Sequence, residues 1–320
     1  MGLSGIVLVT GGAGFIGSHI ASGLAAQGAR VRVIDNLSTG YAENLREISG
    51  DIDFFEASVA DEDAVHRALE NVEVVFHEAA IPSVPRSVED PRSTHTASVD
   101  ATFQLLLACR ERNIRRVVYA ASSSAYGDQP TLPKSEEMAP QPLSPYAVAK
   151  LVGEYYCQAF TRVYGLETIS LRYFNVFGPR QDPSSQYSGV ISRFISSLLS
   201  GQRPVIYGDG EQSRDFTYVD NVVDANLKAA QTTRGIGSVI NVANGERISL
   251  NNLLTEVKAL TGREDVEPEY QKPRAGDVLH SLADISRARE FLDFEPRVGL
   301  REGLQLTIDW WKQSRFARKA

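Results

Sequence analysis

Two side chains four residues apart, Tyr146 and Lys150, have the types and the spacing for proton transfer. They fall in Ser144-Pro145-Tyr146-Ala147-Val148-Ala149-Lys150, where Ser144 suits an N-cap and Pro145 the first turn of a helix. Positions i and i+4 of that helix share a face. An ammonium beside a phenol favours the phenolate and lowers its pKa, which makes tyrosine a usable base near neutral pH. Upstream, an apolar run ends in Ala120-Ala121-Ser122-Ser123-Ser124, and a hydroxyl there can hold a substrate oxygen beside Tyr146. A bare Tyr-x-x-x-Lys is more often an ordinary pair on a surface helix. Its meaning comes from a second motif.

That motif is Thr10-Gly11-Gly12-Ala13-Gly14-Phe15-Ile16-Gly17-Ser18, directly after the run Ile6–Val9. Gly11 permits a tight turn, Gly14 lets backbone approach a pyrophosphate, and Gly17 lets the next helix pack closely on a sheet. The phosphates then sit at a helix N-terminus, where unpaired N–H groups and the dipole favour negative charge. A glycine triplet by itself is an ordinary tight turn. Here a strand precedes it, a helix follows it, and Asp35 ends the next strand at about the 20-residue separation expected of a ribose-binding acid. A carboxylate there repels a 2′-phosphate, and Asn36-Leu37-Ser38-Thr39-Gly40 holds no arginine to offset it. The expected cofactor is therefore NAD rather than NADP.

These motifs need elements to position them. Candidate strands are Ile6–Val9, Val31–Ile34, Asp53–Phe55, Val72–Phe76, Val117–Ala120 and Thr168–Leu171. Helical patterns lie near Phe15–Gln27, Ala64–Leu69, Thr102–Arg112 and Ala147–Val163. The alternation predicts an α/β, Rossmann-type, doubly wound parallel sheet. Strand carboxyl ends then face the ligand crevice. The rhythm breaks at Arg172–Gly189, which reads as a long functional loop or a crossing to a second region. Signals at Val205–Tyr207, Val222–Ala230, Val239–Val242, Leu250–Leu260 and Gly303–Trp311 predict a smaller C-terminal α/β region packed on the sheet. The basic tail Arg315–Ala320 is expected to fray.

Composition narrows the function. Across 320 residues, Lys+Arg 33 against Asp+Glu 40 gives a net charge of −7, which argues against sequence-independent nucleic-acid binding. An anionic small substrate then needs a local arginine cluster. The two cysteines, Cys109 and Cys157, form no CxxC, and the five histidines are scattered, so no metal is expected. The apolar run Ile6–Val9 is too short for a signal core or a membrane span, which predicts a cytoplasmic protein with no membrane partner.

Taken together, the chain resembles an extended short-chain dehydrogenase/reductase of the nucleotide-sugar epimerase/dehydratase group. The resemblance is carried by Gly-x-x-Gly-x-x-Gly, Asp35-Asn36-Leu37-Ser38-Thr39-Gly40, His77-x-Ala79-Ala80, Ser122-Ser123-Ser124-x-Tyr126-Gly127, Tyr146-x-x-x-Lys150 and Arg172-Tyr173-Phe174-Asn175-Val176-Phe177-Gly178-Pro179. It spans nearly the whole length and is greatest to UDP-sugar 4-epimerases, especially bacterial UDP-N-acetylglucosamine 4-epimerases. It implies that Tyr146 is the catalytic base and acid, that Lys150 supports it and the nicotinamide ribose, and that Ser122 is the active-site hydroxyl. Gly11, Gly14, Phe15, Ile16, Gly17, Asp35, Asn36, Ser38, Gly40, Ser58, Val59, Ala79, Ala80, Tyr146, Lys150 and Tyr173 are the implied cofactor contacts. Ser83, Arg86, Ser122, Ser123, Tyr146, Asn175, Val190, Tyr207, Arg214, Arg274, Asp277 and Ser281 are the implied UDP-sugar contacts. Guanidinium forks at Arg214 and Arg274 suit a diphosphate; otherwise each is a solvated ion pair. The implied division assigns residues 1–172, with returning segments near 217–243, to NAD, and 173–216 and 244–320 to the UDP-sugar.

Two positions depart from the group. Ala57-Ser58-Val59 replaces Gly-Asp-Ile, which weakens the adenine contacts, and Ser98 replaces an asparagine that gives structural support. The group's 4,6-dehydratases carry Thr-Asp-Glu where this chain has Ser122-Ser123-Ser124, so dehydration is disfavoured. The implied reaction is C4 epimerisation by transient oxidation to a 4-keto sugar, with NAD tightly bound. A small Ser281, where a bulky tyrosine can stand, leaves room for a 2-acetamido group. That points to UDP-GlcNAc/UDP-GalNAc together with UDP-Glc/UDP-Gal, unless Ser281 only fills packing space. Arg86 keeps UDP-glucuronate 4-epimerisation open, and sugar decarboxylases share the scaffold. A non-catalytic NAD-binding regulator is the reading from another class. The resemblance also implies a homodimer built by helices following Arg92 and Pro145.

Overall fold

The computed structural model describes residues 5–182, 189–273 and 278–314. Seven strands form its main sheet: β1 (Ile6–Thr10), β2 (Arg30–Asp35), β3 (Ile52–Glu56), β4 (Val72–His77), β5 (Arg116–Ser122), β6 (Glu167–Tyr173) and β7 (Val239–Val242). The order is β7-β6-β5-β4-β1-β2-β3, and every pairing is parallel. The order in which successive strands are added reverses between β1 and β4, the switch point where ligands bind in doubly wound sheets.

Alternation along the strands builds two cores. Val7, Val9, Val33, Phe76, Val118 and Leu171 face one side, while Leu8, Ile34, Val75, Val117 and Tyr119 face the other. Helices α1 (Phe15–Ala26), α2 (Glu62–Ala68), α3 (Ala101–Glu111) and α4 (Pro145–Tyr164) connect and cover the strands. A third core, including Ile191, Phe194, Leu253, Val257, Leu304 and Trp311, joins α5 (Val190–Leu199), α7 (Leu250–Thr261) and α8 (Leu300–Gln313). Between them α6 (Val219–Gln231) packs back on α1. Gly23 allows that approach, since a Cβ there would lie 2.7 Å from Val223 Cγ1.

One expectation changes. Arg172–Gly189 is not loop throughout: Arg172 and Tyr173 complete β6, and Val176–Phe177 pairs in parallel with Thr217–Tyr218. Arg172 is buried, with two guanidinium nitrogens donating to Glu154 at 2.9 and 2.7 Å. The glycine and proline turn signals of the segment, Gly178, Pro179, Pro183 and Gly189, gave the loop reading, and the end of the strand was read with them. Helix α5 and the short helices Val84–Glu89, Pro91–His95 and Ser286–Leu292 carried no signal strong enough to find in the sequence. The tail 315–320 lies outside the described residues. No helix among the described residues is long and apolar enough to cross a membrane, and none of their His, Cys, Asp and Glu cluster as metal ligands.

Candidate active site

Because all seven strands run the same way, the residues that end them gather on one edge. Gly11 follows β1, Asp35 ends β2, Ala79 and Ala80 follow β4, Ser122 ends β5 and Tyr173 ends β6. Ser122 and Tyr173 are register partners.

The glycine turn is shaped by close approach. Gly11 has φ +66°, and a Cβ on it would lie 2.8 Å from the Ala79 backbone. A Cβ on Gly17 would lie 2.3 Å from Gly11 O. Gly14 meets only Gly11 O at 3.1 Å, so its surface stays bare. It caps α1 without a side-chain hydrogen bond, and no acid stands in that helix's first turn. The positive end of the helix is thus left for an outside anion, unlike α2, capped by Asp61, or α4, capped by Ser144. Asp35 Oδ2 accepts from Ala13 N at 3.0 Å and Oδ1 from Leu37 N at 2.8 Å. A carboxylate has roughly four acceptor positions, so capacity remains for ribose hydroxyls. Burial pushes its carboxyl pKa up, against the amides of Leu37, Ala13 and Gly14. Gly40 closes on Ala13, and Asn36 Oδ1 accepts from Ser38 N at 3.1 Å. Ser58 Oγ turns back to Ala60 N at 3.1 Å, and Val59 is buried. The bare glycine surface, open helix end and ribose-facing acid fit a dinucleotide.

Helix α4 begins as expected, with Ser144 Oγ accepting from Ala147 N at 3.2 Å and Pro145 in the first turn. Tyr146 is half-buried, with the Ser122 hydroxyl beside it favouring its ionised form. Ser122 Oγ also accepts from Ser124 Oγ at 2.9 Å. The expected lowering of the phenol pKa is not found. Desolvation raises it, the Ser122 hydroxyl opposes, and the charge of Glu78 raises it further. The Lys150 ammonium is turned to the sheet, donating to Ala120 O at 2.7 Å over the Tyr119 ring. Burial lowers the pKa of that ammonium, while Glu78 and Glu154 pull it back up.

Glu78 escaped the sequence reading, although it occupies the open position of His77-x-Ala79-Ala80. It accepts from Tyr173 OH at 2.8 Å, and Asn226 Nδ2 donates to that same hydroxyl at 2.8 Å. Burial raises the Glu78 pKa, opposed by the Tyr173 bond and by Lys150. An acid directly after the strand Val72–His77, with its apolar run Val74-Val75-Phe76, was the available signal. His77 is buried between Thr10 Oγ1 at 2.7 Å and Thr102 Oγ1 at 2.9 Å. Ser98 Oγ is buried without a hydrogen-bond partner among the described residues.

Beside this edge lies a cleft of about 240 Å³, whose lining includes Asn175, Val190, Tyr207 and Arg214. Gln181, Arg193 and Gln212 also line it and were missed, since no motif marks them. Asn175 has φ +35°; its Nδ2 donates to Asp215 O at 2.8 Å and to Ser281 Oγ at 3.2 Å. Ser281 is thus buried against Asn175. Asp215, also missed, accepts from the amides of Asn244, Gly245 and Ala283 at 3.0–3.1 Å. Burial raises its carboxyl to about 6. Arg214 Nη1 donates to Ser213 O and Leu279 O, both at 3.0 Å. Ser83 caps the helix Val84–Glu89, and Arg86 lies half-buried in it. Ser123 opens a short turn after Ser122. Arg274 and Asp277 lie outside the described residues.

Known proteins share this fold. UDP-glucose 4-epimerase of Mycolicibacterium smegmatis is 41% identical over 95% of this chain and 98% of its own. The crystal structure of UDP-N-acetylglucosamine 4-epimerase from Methanobrevibacter ruminantium, in complex with UDP-N-acetylmuramic acid, superposes with a TM-score of 0.93 at 41% identity, covering 98% of this chain and 99% of that one. Thermus thermophilus UDP-glucose 4-epimerase in complex with NAD gives a TM-score of 0.88 at 36% identity, covering 97% and 99%. The family profile described as NAD dependent epimerase/dehydratase matches residues 7–243, from β1 to just past β7. With glycine cradle, ribose acid, serine and tyrosine on one sheet edge, the chain belongs to the NAD-dependent epimerase/dehydratase family.

Proposed function

We propose that the protein is a UDP-sugar 4-epimerase that interconverts UDP-GlcNAc and UDP-GalNAc, and UDP-Glc and UDP-Gal. The observation that carries this is the meeting of Tyr146 and the Ser122 hydroxyl at the cofactor edge, where Ser122 favours the ionised phenol, next to a cleft lined by Asn175 and Arg214. Bound NAD supplies the hydride acceptor and donor for C4. Gly11, Gly14, Gly17 and Asp35 would hold it, with Tyr173 and Lys150 toward its nicotinamide end. Tyr146 exchanges the proton of the 4-hydroxyl, and Ser122 holds that oxygen in line. Lys150 supplies positive charge behind them. Arg214 and Asn175 take the diphosphate, which leaves the sugar free to present either face of C4. Serines at Ser122–Ser124 offer no acid for eliminating water, which favours epimerisation over dehydration.

The small Ser281 supports acetamido sugars. Arg86, one turn from Ser83, supports UDP-glucuronate as the second reading, because a guanidinium suits a C6 carboxylate. We assign residues 1–172 and 217–243 to the cofactor and the remainder to the UDP-sugar, since the third core lies mostly in the latter, with Tyr218 and Val219 joining it from the former. A cytoplasmic setting is supported by Cys109 and Cys157, both buried and unpaired.

Purified protein without added cofactor, given each UDP-sugar in turn and followed by NMR of the anomeric protons, tests the assignment. The expected products are the C4 epimers of the acetamido and plain hexoses. Tyr146→Phe should still bind UDP-sugar and lose roughly 10³-fold or more in kcat. Undiminished turnover in that variant removes the reading, and turnover of UDP-glucuronate only selects the alternative.

A further inference from the structure

Residues 179–182 touch both halves of the site. Toward the cleft, Gln181 accepts from Ser192 Oγ at 2.7 Å and donates to Val176 O at 3.2 Å. Toward the cradle, Pro179 O meets His19 Nε2 at 3.0 Å. Arg180 Nη1 donates to Ser18 O and Ser22 Oγ, each at 3.1 Å, and Arg180 Nε lies 3.6 Å from Glu47. His19, Ser18 and Ser22 belong to α1, whose open N-terminus is the phosphate end of the cradle. Arg180 has φ +64°, a conformation that side-chain-bearing residues seldom adopt, and these contacts maintain it.

The last contact reaches the ribose wall. From Asp35 the chain loops through residues 36–41 back to the glycine turn, where Tyr41 N donates to Ala13 O at 3.0 Å. The Tyr41 hydroxyl donates to Asp182. The loop that leads away from Asp35 is thus tied to the glycine turn through Ala13 and to Asp182 through the Tyr41 hydroxyl, and movement of its Tyr41 end breaks the bond to Asp182.

We infer that residues 179–182 form a latch across the dinucleotide cradle, with the Tyr41–Asp182 hydrogen bond as its catch, and that the latch sets how slowly bound NAD departs. The inference rests on the cofactor assignment and not on which sugar reacts. Its chemical sense follows from the proposed reaction, in which the cofactor ends as it began and gains nothing by leaving.

The test uses protein loaded with NAD, diluted into excess labelled NAD and filtered at intervals. Tyr41→Phe and Asp182→Ala should each release the original NAD roughly tenfold faster or more, the effect of losing a charge-assisted hydrogen bond. The double variant should release it no faster than the quicker single variant, because both changes remove one bond. Release within twofold of wild type overturns the latch. An NAD-free variant that melts well below NAD-free wild type also overturns it, because the bond then holds the fold and not the cofactor. A wild-type protein that yields no dinucleotide on denaturation overturns the cofactor assignment and the latch with it.

Discussion

Tyr146 stands between opposed effects: burial and the charge of Glu78 hold its proton on, and the Ser122 hydroxyl helps release it. Ser281, bonded to Asn175, is where sugar size is expected to be read. Ser281→Tyr should cost at least tenfold in kcat/KM for the acetamido sugars and leave plain hexoses within about threefold, one contact in a pocket being worth roughly 10–200-fold. Equal loss on both pairs, or no loss, refutes that role. His19 gives a pH prediction. Burial and the nearby Arg180 lower its pKa to about 4. The unfolded chain protonates this group first, so stability is lost as pH falls from about 6.5 toward 4. Between pH 7 and 5 the loss should be roughly 2 kcal/mol. His19→Gln, which can keep a bond to Pro179 O, should show a correspondingly smaller drop in melting temperature over that interval. Identical drops in both proteins would contradict the burial argument.

At the scale of the element, helix α4 is the clearest case of sequence becoming site. Its cap, its first-turn proline and its Tyr-x-x-x-Lys spacing were all legible, because each is a local property of the chain. The bond from the Lys150 ammonium to the carbonyl of Ala120 was not, because that strand is distant in sequence. Gly153 fixes how closely α4 lies on β5. A Cβ there would fall 2.2 Å from the Tyr119 hydroxyl, which itself donates to Lys150 O at 3.3 Å. Gly153→Ala should therefore destabilise by about 1–3 kcal/mol through overpacking, read by urea unfolding. It should also reduce kcat, since Tyr119 lies under the Lys150 ammonium. Unchanged stability would mean that the helix shifts freely, contrary to this packing.

For the whole molecule, α4 leaves Val148 46% and Tyr155 53% exposed seven residues apart on one face, with Val88 at 65% on a preceding helix. Apolar side chains in that register are what a second copy of the chain would cover, and this supports the proposal of a homodimer. Light scattering should give twice the chain mass, and Tyr155→Glu should shift it toward monomer. A monomeric wild type at micromolar concentration would end the proposal.

What the sequence determined by itself was everything written in neighbouring residues. That covers the alternation of strands and helices, the glycine turn with its acid at Asp35, the α4 motif and the apolar faces of the sheet. These follow from backbone periodicity, capping and glycine's freedom, all of which act over a few residues. What only the tertiary structure decided was how distant polar groups pair. It brought Glu78 to Tyr173, Asp215 to three amides from two loops, Arg172 to Glu154 and Tyr41 to Asp182. A buried charge is tolerated only where a partner meets it, and which partner arrives depends on the path of the whole chain.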